Sequence, residues 1–257
     1  MKKILETVKK EYVQFKVLLR SVPASIFTLF VLSIVLMNLL ANKSVDTGKL
    51  SWLALDCGMI LSWLSFLTND ILVKRFGPKA ATKISLFAIL INLGVCVILY
   101  LVACIPGDWS TSYVDNSQDI INTAINSTFS GTWYVLLGST IAFATSIAIS
   151  NFLNWSLGKL LNNVKNEKFV FYTRGYVSTL VGQFLDNFIF AIIVSHVFFG
   201  WTLLQCVTCA ITGCIIELLC QIIFSPIGYR VFKKWEKENV GTEYIEKYYK
   251  EGAEIVT

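Results

Sequence analysis

Six runs of about twenty mostly apolar residues dominate this chain, and each is long enough to cross a hydrocarbon core. They lie at Pro23–Ala41, Leu50–Leu72, Leu86–Ile105, Thr132–Trp155, Gly175–Phe199 and Thr202–Phe224. In lipid every backbone N–H and C=O must find a partner without water, and segments of this length do so as helices. Of the 257 residues, 55 % are hydrophobic and 15 % charged, against about 25 % charged in an average soluble domain, so little remains for a soluble domain. The expected fold is an all-α membrane protein with six transmembrane helices.

Short loops rich in Lys and Arg stay on the cytoplasmic side of a membrane. All of the chain's 22 basic residues except Lys43 and Lys49 fall on one side of this six-span arrangement. Both termini are therefore expected in the cytoplasm, in a multi-pass protein of the cell (inner) membrane. Residues 1–22 read as a cytoplasmic segment whose apolar face (Ile4, Leu5, Val8, Tyr12, Phe15, Leu19) suits a helix lying on membrane lipid. Residues 23–224 are expected to form the six-helix transmembrane domain and 225–257 a cytoplasmic tail. About twenty amphipathic residues precede the first apolar run, which argues against a cleaved signal peptide. The formal charge of +5 follows from topology and attraction to anionic lipid, and calls for no nucleic-acid partner.

The seven cysteines all sit in the apolar runs, where packing explains them better than disulfides or metal. Cys206 and Cys209 form a C-x-x-C without a second ligand pair, and His196 has no Cys or carboxylate at ligand spacing. No zinc-protease, nucleophile-elbow or phosphate-loop motif is present, so neither an enzyme nor a bound cofactor is expected. Without a nucleotide-binding motif, transport would draw on an ion gradient or on an ATPase partner. The long connection Pro106–Gly131 carries Ile120, Ile121, Ala124, Ile125 and Phe129 at helical spacing, an amphipathic helix for the interface or a lid over a cavity. Gly131, Gly138 and Ala142 would let helices approach closely, compatible with a homodimer.

Polar residues inside the spans carry the functional signal. An acid at a helix centre costs about 2.5–3.5 kcal/mol on insertion scales, so it normally faces a cavity, a partner or an ion. Asp56, Asp70, Asp186 and Glu217 are such acids, without Lys or Arg at comparable depth. Helical spacing places Trp52, Asp56, Met59, Trp63, Phe66 and Asp70 on one stripe and Thr179, Gln183, Asp186 and Phe190 on another. Gly213, Glu217 and Gln221 form a third, and Asn151 and Asn154 lie three apart on the fourth span. These acids and amides, with Asn69 and Asn187, predict a polar pocket with aromatic walls. It suits a flat heterocycle rich in N–H donors, better still a cationic one. The bland alternative is interhelical hydrogen bonding, about 0.6 kcal/mol per pair on average. SNFLNWS (Ser150–Ser156), GQFLDNF (Gly182–Phe188) and, more loosely, SFLTNDI (Ser65–Ile71) share a faint pattern, too short to establish a repeat.

Three segments carry a family resemblance. FLTNDILVKRFGPKAATKIS (Phe66–Ser85) resembles the second-span region of the YhhQ-type queuosine-precursor transporters, the vitamin uptake transporter family. GQFLDNFIF (Gly182–Phe190) is similar to their fifth span, and QIIFSPIGYRV (Gln221–Val231) to their exit from the sixth. The chain departs from the family where Gly138 stands for an Arg, Asn151 and Asn154 for Gln and Asp, Glu217 for a Lys, and Lys74 for a Glu. The resemblance implies import of a deazaguanine-type base or queuine for tRNA modification, by a divergent member. Asp186 and Gln183 would hold the ligand's donors, with Asp70 and Asn69 beside them and Glu217 at its cationic group. The alternatives are a substrate-binding subunit of an energy-coupling vitamin transporter, which needs an ATPase, and a non-transporting membrane protein.

Overall fold

The computed structural model describes residues 2–45, 48, 50, 52, 53, 55–109 and 118–250. Apart from a single bridge of antiparallel type between Ser44 and Asp56, its regular structure is helical. In order these are α1 (Lys2–Ser21), α2 (Ala24–Leu40), α3 (Met59–Phe76), α4 (Pro78–Ala103), α5 (Gln118–Gly131) and α6 (Trp133–Leu160). Then follow α7 (Glu167–Phe190), a π-helical turn (Ala191–His196), the short α8 (Val197–Phe199), α9 (Leu203–Lys237), α10 (Thr242–Tyr244) and a second π turn (Ile245–Lys250).

Among the described residues, four stretches are long and apolar enough to cross a membrane: Pro78–Ala103, Gln118–Leu160, Glu167–Phe199 and Leu203–Lys237. Leu5–Ser21 and Ala24–Leu40, bent by 103° at their break, together qualify as a fifth. The expected six is thus met only in part, for two physical reasons. Helix α2 has 17 residues, about 26 Å at 1.5 Å per residue, short of a hydrocarbon core of about 30 Å. Helix α3 carries Asp70, Lys74 and Arg75 in its last two turns.

The second expected span, Leu50–Leu72, needs correction at its start. Lys43–Val45 and Leu55–Cys57 form a short paired clasp, with Val45 N–H donating to Leu55 O at 2.8 Å and Cys57 N–H to Lys43 O at 2.8 Å. Helix begins only at Met59, so Trp52 and Asp56 do not share a helical stripe with Trp63 and Phe66. Asp56 Oδ1 instead accepts the Gly58 N–H at 2.7 Å, turning the chain into α3. The sixth run also continues beyond Phe224, through Pro226, to Lys237. The amphipathic helix read in the long connection is present as α5, whose Asn122 and Asn126 accept from the Trp109 backbone and indole N–H groups at 2.8 Å each.

Local sequence accounts for the helix ends. Thr202 and Gln205 form a reciprocal capping box at the start of α9, and Asn166 caps α7 by accepting from Phe169 N–H. Between α3 and α4, Gly77 adopts φ 84°, and a Cβ there would lie 2.3 Å from the Tyr249 ring, so only glycine fits.

The core is built on α2, α3, α4 and α6 around Phe30, Phe66, Phe143 and Ile84. It reaches the C-terminal segment through Phe76, Trp235 and Tyr244. At α1 the apolar face divides: Leu18 is fully buried and Phe15 packs edge-on against Phe87, while Leu5, Val8 and Tyr12 stay exposed.

Candidate functional site

Helix α7 crosses the bundle with its polar residues on one face, and two separate polar clusters form along it. The first is a pocket in the half of the bundle away from the termini. Its space, about 350 Å³ including the open mouth, lies among Asp56, Asp186 and Glu217. Helix α2 supplies Met37 and Asn38, α3 Met59 and Ser62, α6 Ser139, and α7 Asn187 and Phe190. Among the described residues, Lys and Arg are absent from this lining.

Each acid is held differently. Glu217 is 1 % exposed, and its two carboxylate oxygens accept from the Ser62 hydroxyl and, at 2.9 Å, from Asn187 Nδ2. Asp186 is half-buried and takes one bond from the Ser146 hydroxyl, at 3.3 Å. Asp56 accepts its own turn's N–H. Across the pocket the Ser139 hydroxyl donates to Asn38 Oδ1. A carboxylate can accept about four hydrogen bonds, so the pocket keeps acceptor capacity turned inward. Gly213 makes this geometry possible, since a Cβ there would meet Asn187 Nδ2 at 2.9 Å.

The second cluster lies nearer the termini and centres on Asp70, which is 1 % exposed. Its Oδ1 accepts from Asn154 Nδ2 at 2.8 Å and from Ser178 at 3.3 Å. Its Oδ2 accepts from Gln221 Nε2 at 2.8 Å and Thr179 at 3.4 Å, with Lys74 Nζ 3.9 Å away. Lys74 also sits 3.8 Å above the Phe171 ring centroid, and Arg174 Nε donates to Asn154 O at 3.0 Å. Beside it, Asn69 Nδ2 donates to Asn151 Oδ1 at 2.6 Å and Asn151 Nδ2 to Thr82 at 2.9 Å.

The sequence-derived site therefore splits. Asp56, Asp186, Asn187, Glu217 and Phe190 meet at one pocket. Asp70, Asn69, Asn151 and Asn154 do not join them, because one another and Lys74 already occupy their bonds. Trp63 faces α9, stacked on Phe224 at 4.5 Å, and Phe66 is buried against Phe143. Neither lines the pocket as a wall. Gln183, fully buried, lies between the clusters. The pocket also uses Asn38, Ser62 and Ser139, which the sequence reading passed over. Asn38 was the findable one, a lone amide in an otherwise apolar stretch.

Other small features resolve as packing. Cys206 Sγ–H points to Ala191 O at 3.4 Å, and the cysteines of described residues are all free. Among the described residues, no three His, Cys, Asp or Glu side chains are placed so that they could hold one metal ion, the pocket acids included. Gly138 and Ala142, expected to let helices approach closely, do so inside the chain. Ala142 is fully buried, and a Cβ on Gly138 would lie 2.1 Å from Val194 Cγ2.

The comparisons with known proteins add a family to this geometry. The family model described as "Putative vitamin uptake transporter" matches residues 56–231, which span α3 to most of α9 and hold the Asp70 cluster and the pocket's three acids. The chain belongs to the vitamin uptake transporter family. No curated protein and no solved structure matches it. Within this vitamin uptake transporter, the family region begins at the pocket acid Asp56 and omits α1, α2 with its share of the pocket wall, and the C-terminal segment. Membership and the long apolar helices make it a multi-pass membrane transporter.

Proposed function

We propose that this chain is an inner-membrane importer of a small, planar, cationic heterocycle, with a queuosine precursor or queuine as the cargo. The observation that carries the reading is the pocket of Asp56, Asp186 and Glu217, whose described lining residues include no basic side chain. Three acids in a low-dielectric setting favour a cation strongly, because isolated charge is expensive there. The aminomethyl deazaguanine and queuine each add a cationic amine to a flat, donor-rich ring, which the carboxylates and Asn187 would receive while Phe190 covers a face. The nitrile precursor offers no such cation.

In this reading six helices cross the membrane, α2 and α3 being the short and the polar-ended ones, and the basic end of the bundle faces the cytoplasm. The pocket then opens away from the cytoplasm, and the Asp70–Lys74 cluster closes the inner side. Transport is driven by an ion gradient, with one pocket acid as the natural proton carrier.

The test is tRNA queuosine content in a host that neither synthesises nor imports precursors, expressing this chain and fed each precursor or queuine in turn. Restoration is expected with the aminomethyl form or queuine, and Asp186→Asn should abolish it while leaving membrane expression unchanged. Full activity in that variant removes Asp186 from the mechanism. Uptake by the purified chain alone in liposomes separates an importer from a subunit that depends on an ATPase.

A further inference from the structure

Between the two clusters lies a thin layer with a chemical peculiarity. Four of the five buried side-chain polar atoms that lack a hydrogen-bond partner among the described residues fall within it: Ser150 Oγ, Gln183 Nε2, Gln183 Oε1 and Gln221 Oε1. Their side chains are 0–1 % exposed. Native interiors rarely leave such atoms unpaired, because each costs about 1–3 kcal/mol.

The positions are as telling as the vacancies. Gln183 lies one turn along α7 from the pocket's Asp186, Ser150 one turn along α6 from Ser146, and Gln221 one turn along α9 from Glu217. One turn further inward, Thr179 and Asn154 donate to Asp70, and Gln221 reaches it with its own Nε2. Three helices thus continue the pocket's polar lining at the same depth, with groups whose bonds are unmade. Gly182 brings α6 and α7 together here, since a Cβ on it would lie 3.0 Å from Ser150 Cβ and 2.8 Å from Phe66.

We infer that this layer is a second, occluded station on the transport route, where a cargo leaving the carboxylates is held by Gln183, Gln221 and Ser150 before the Asp70 cluster opens. The inference rests on the importer reading for its direction. Three vacant oxygens (Gln183 Oε1, Gln221 Oε1 and Ser150 Oγ) suit the N–H donors of an ammonium or amidine-like cation, and Gln183 Nε2 adds one donor. Phe66, at the edge of the layer, gives it an apolar side. The contacts change from charged to neutral acceptors, so the cation is not trapped as tightly as at Asp186 and Glu217.

The experiment needs no knowledge of the natural cargo. Ser150→Cys is labelled in the full-length chain in liposomes with the small cation 2-aminoethyl methanethiosulfonate and, in parallel, with neutral methyl methanethiosulfonate. Site-resolved mass spectrometry gives the rates, and Cys96, buried on α4 and not among the pocket's described lining residues, is the internal reference. The cationic reagent should label position 150 at least tenfold faster than Cys96, and Asp186→Asn should erase its advantage over the neutral one. Gln183→Cys, read in the same way, keeps the test decisive should Ser150→Cys fail to assemble. Labelling no faster than at Cys96 means the layer holds only structural water and overturns the proposal, as does fast labelling indifferent to Asp186→Asn. A failed feeding experiment rejects the cargo, whereas a failed labelling experiment rejects the route.

Discussion

Asp70 and Asp186 are both acids within a helical bundle, yet their hydrogen-bond partners differ sharply. Asp70 spends both oxygens on Asn154, Ser178, Thr179 and Gln221 and lies 3.9 Å from Lys74. Removing one partner of a buried pair strands the other, at a cost of about 3–5 kcal/mol. Asp70→Ala should therefore lower the melting temperature in detergent sharply, and Lys74→Met added to it should recover part of the loss in a double-mutant cycle. Additivity without recovery would show that the pair is not coupled. Asp186 has one long bond, to Ser146, so its amide variant should leave stability almost unchanged and show its effect in transport. The residue types were legible in the sequence, since an acid in an apolar run draws attention wherever it falls. Which amides each acid would meet was not, because Asn154 meeting Asp70 depends on how α3 and α6 pack, a contact 84 positions apart.

Helices were easiest to read at their centres and hardest at their ends. The run Leu50–Leu72 is apolar enough throughout, but backbone pairing between Lys43–Val45 and Leu55–Cys57 holds its first part out of the helix. The sixth run extends past Phe224 because Pro226 is accommodated inside α9, where a proline usually marks an exit. The π turn after Phe190 left no trace in hydropathy. Its Val194 packs directly on Gly138 of α6, with Ile193 Cγ2 3.3 Å from where a Cβ would be. Gly138→Ala must push this turn away, next to the pocket's Phe190, and overpacking of this kind costs about 1–3 kcal/mol. A fall in thermal midpoint is expected. An unchanged midpoint would mean that the α6–α7 contact is slack.

At the scale of the molecule, the C-terminal segment ties the bundle together at one end. Arg75 Nε and Nη2 donate to Val240 O at 2.9 and 2.8 Å, and Phe76 is wedged edge-on between Trp235 and Tyr244. Gln14 of α1 reaches the Tyr244 hydroxyl at 3.5 Å, whose pKa burial pushes up to about 12, so it stays neutral. Lys83 binds Glu11 at 2.6 Å, and Lys233 pairs with both Glu167 and Glu236. Truncating a buried aromatic costs about 3–5 kcal/mol, so Tyr244→Ala should lower the melting temperature and loosen α1, seen as faster amide exchange around Leu18. Unchanged exchange there would show that α1 docks without it. This clasp joins α1 to a residue 230 positions later, so the ribosome releases Gln14 long before Tyr244 exists. Phe76 waits incompletely covered through the synthesis of α4 to α7, until Trp235 and Tyr244 are made and close over it.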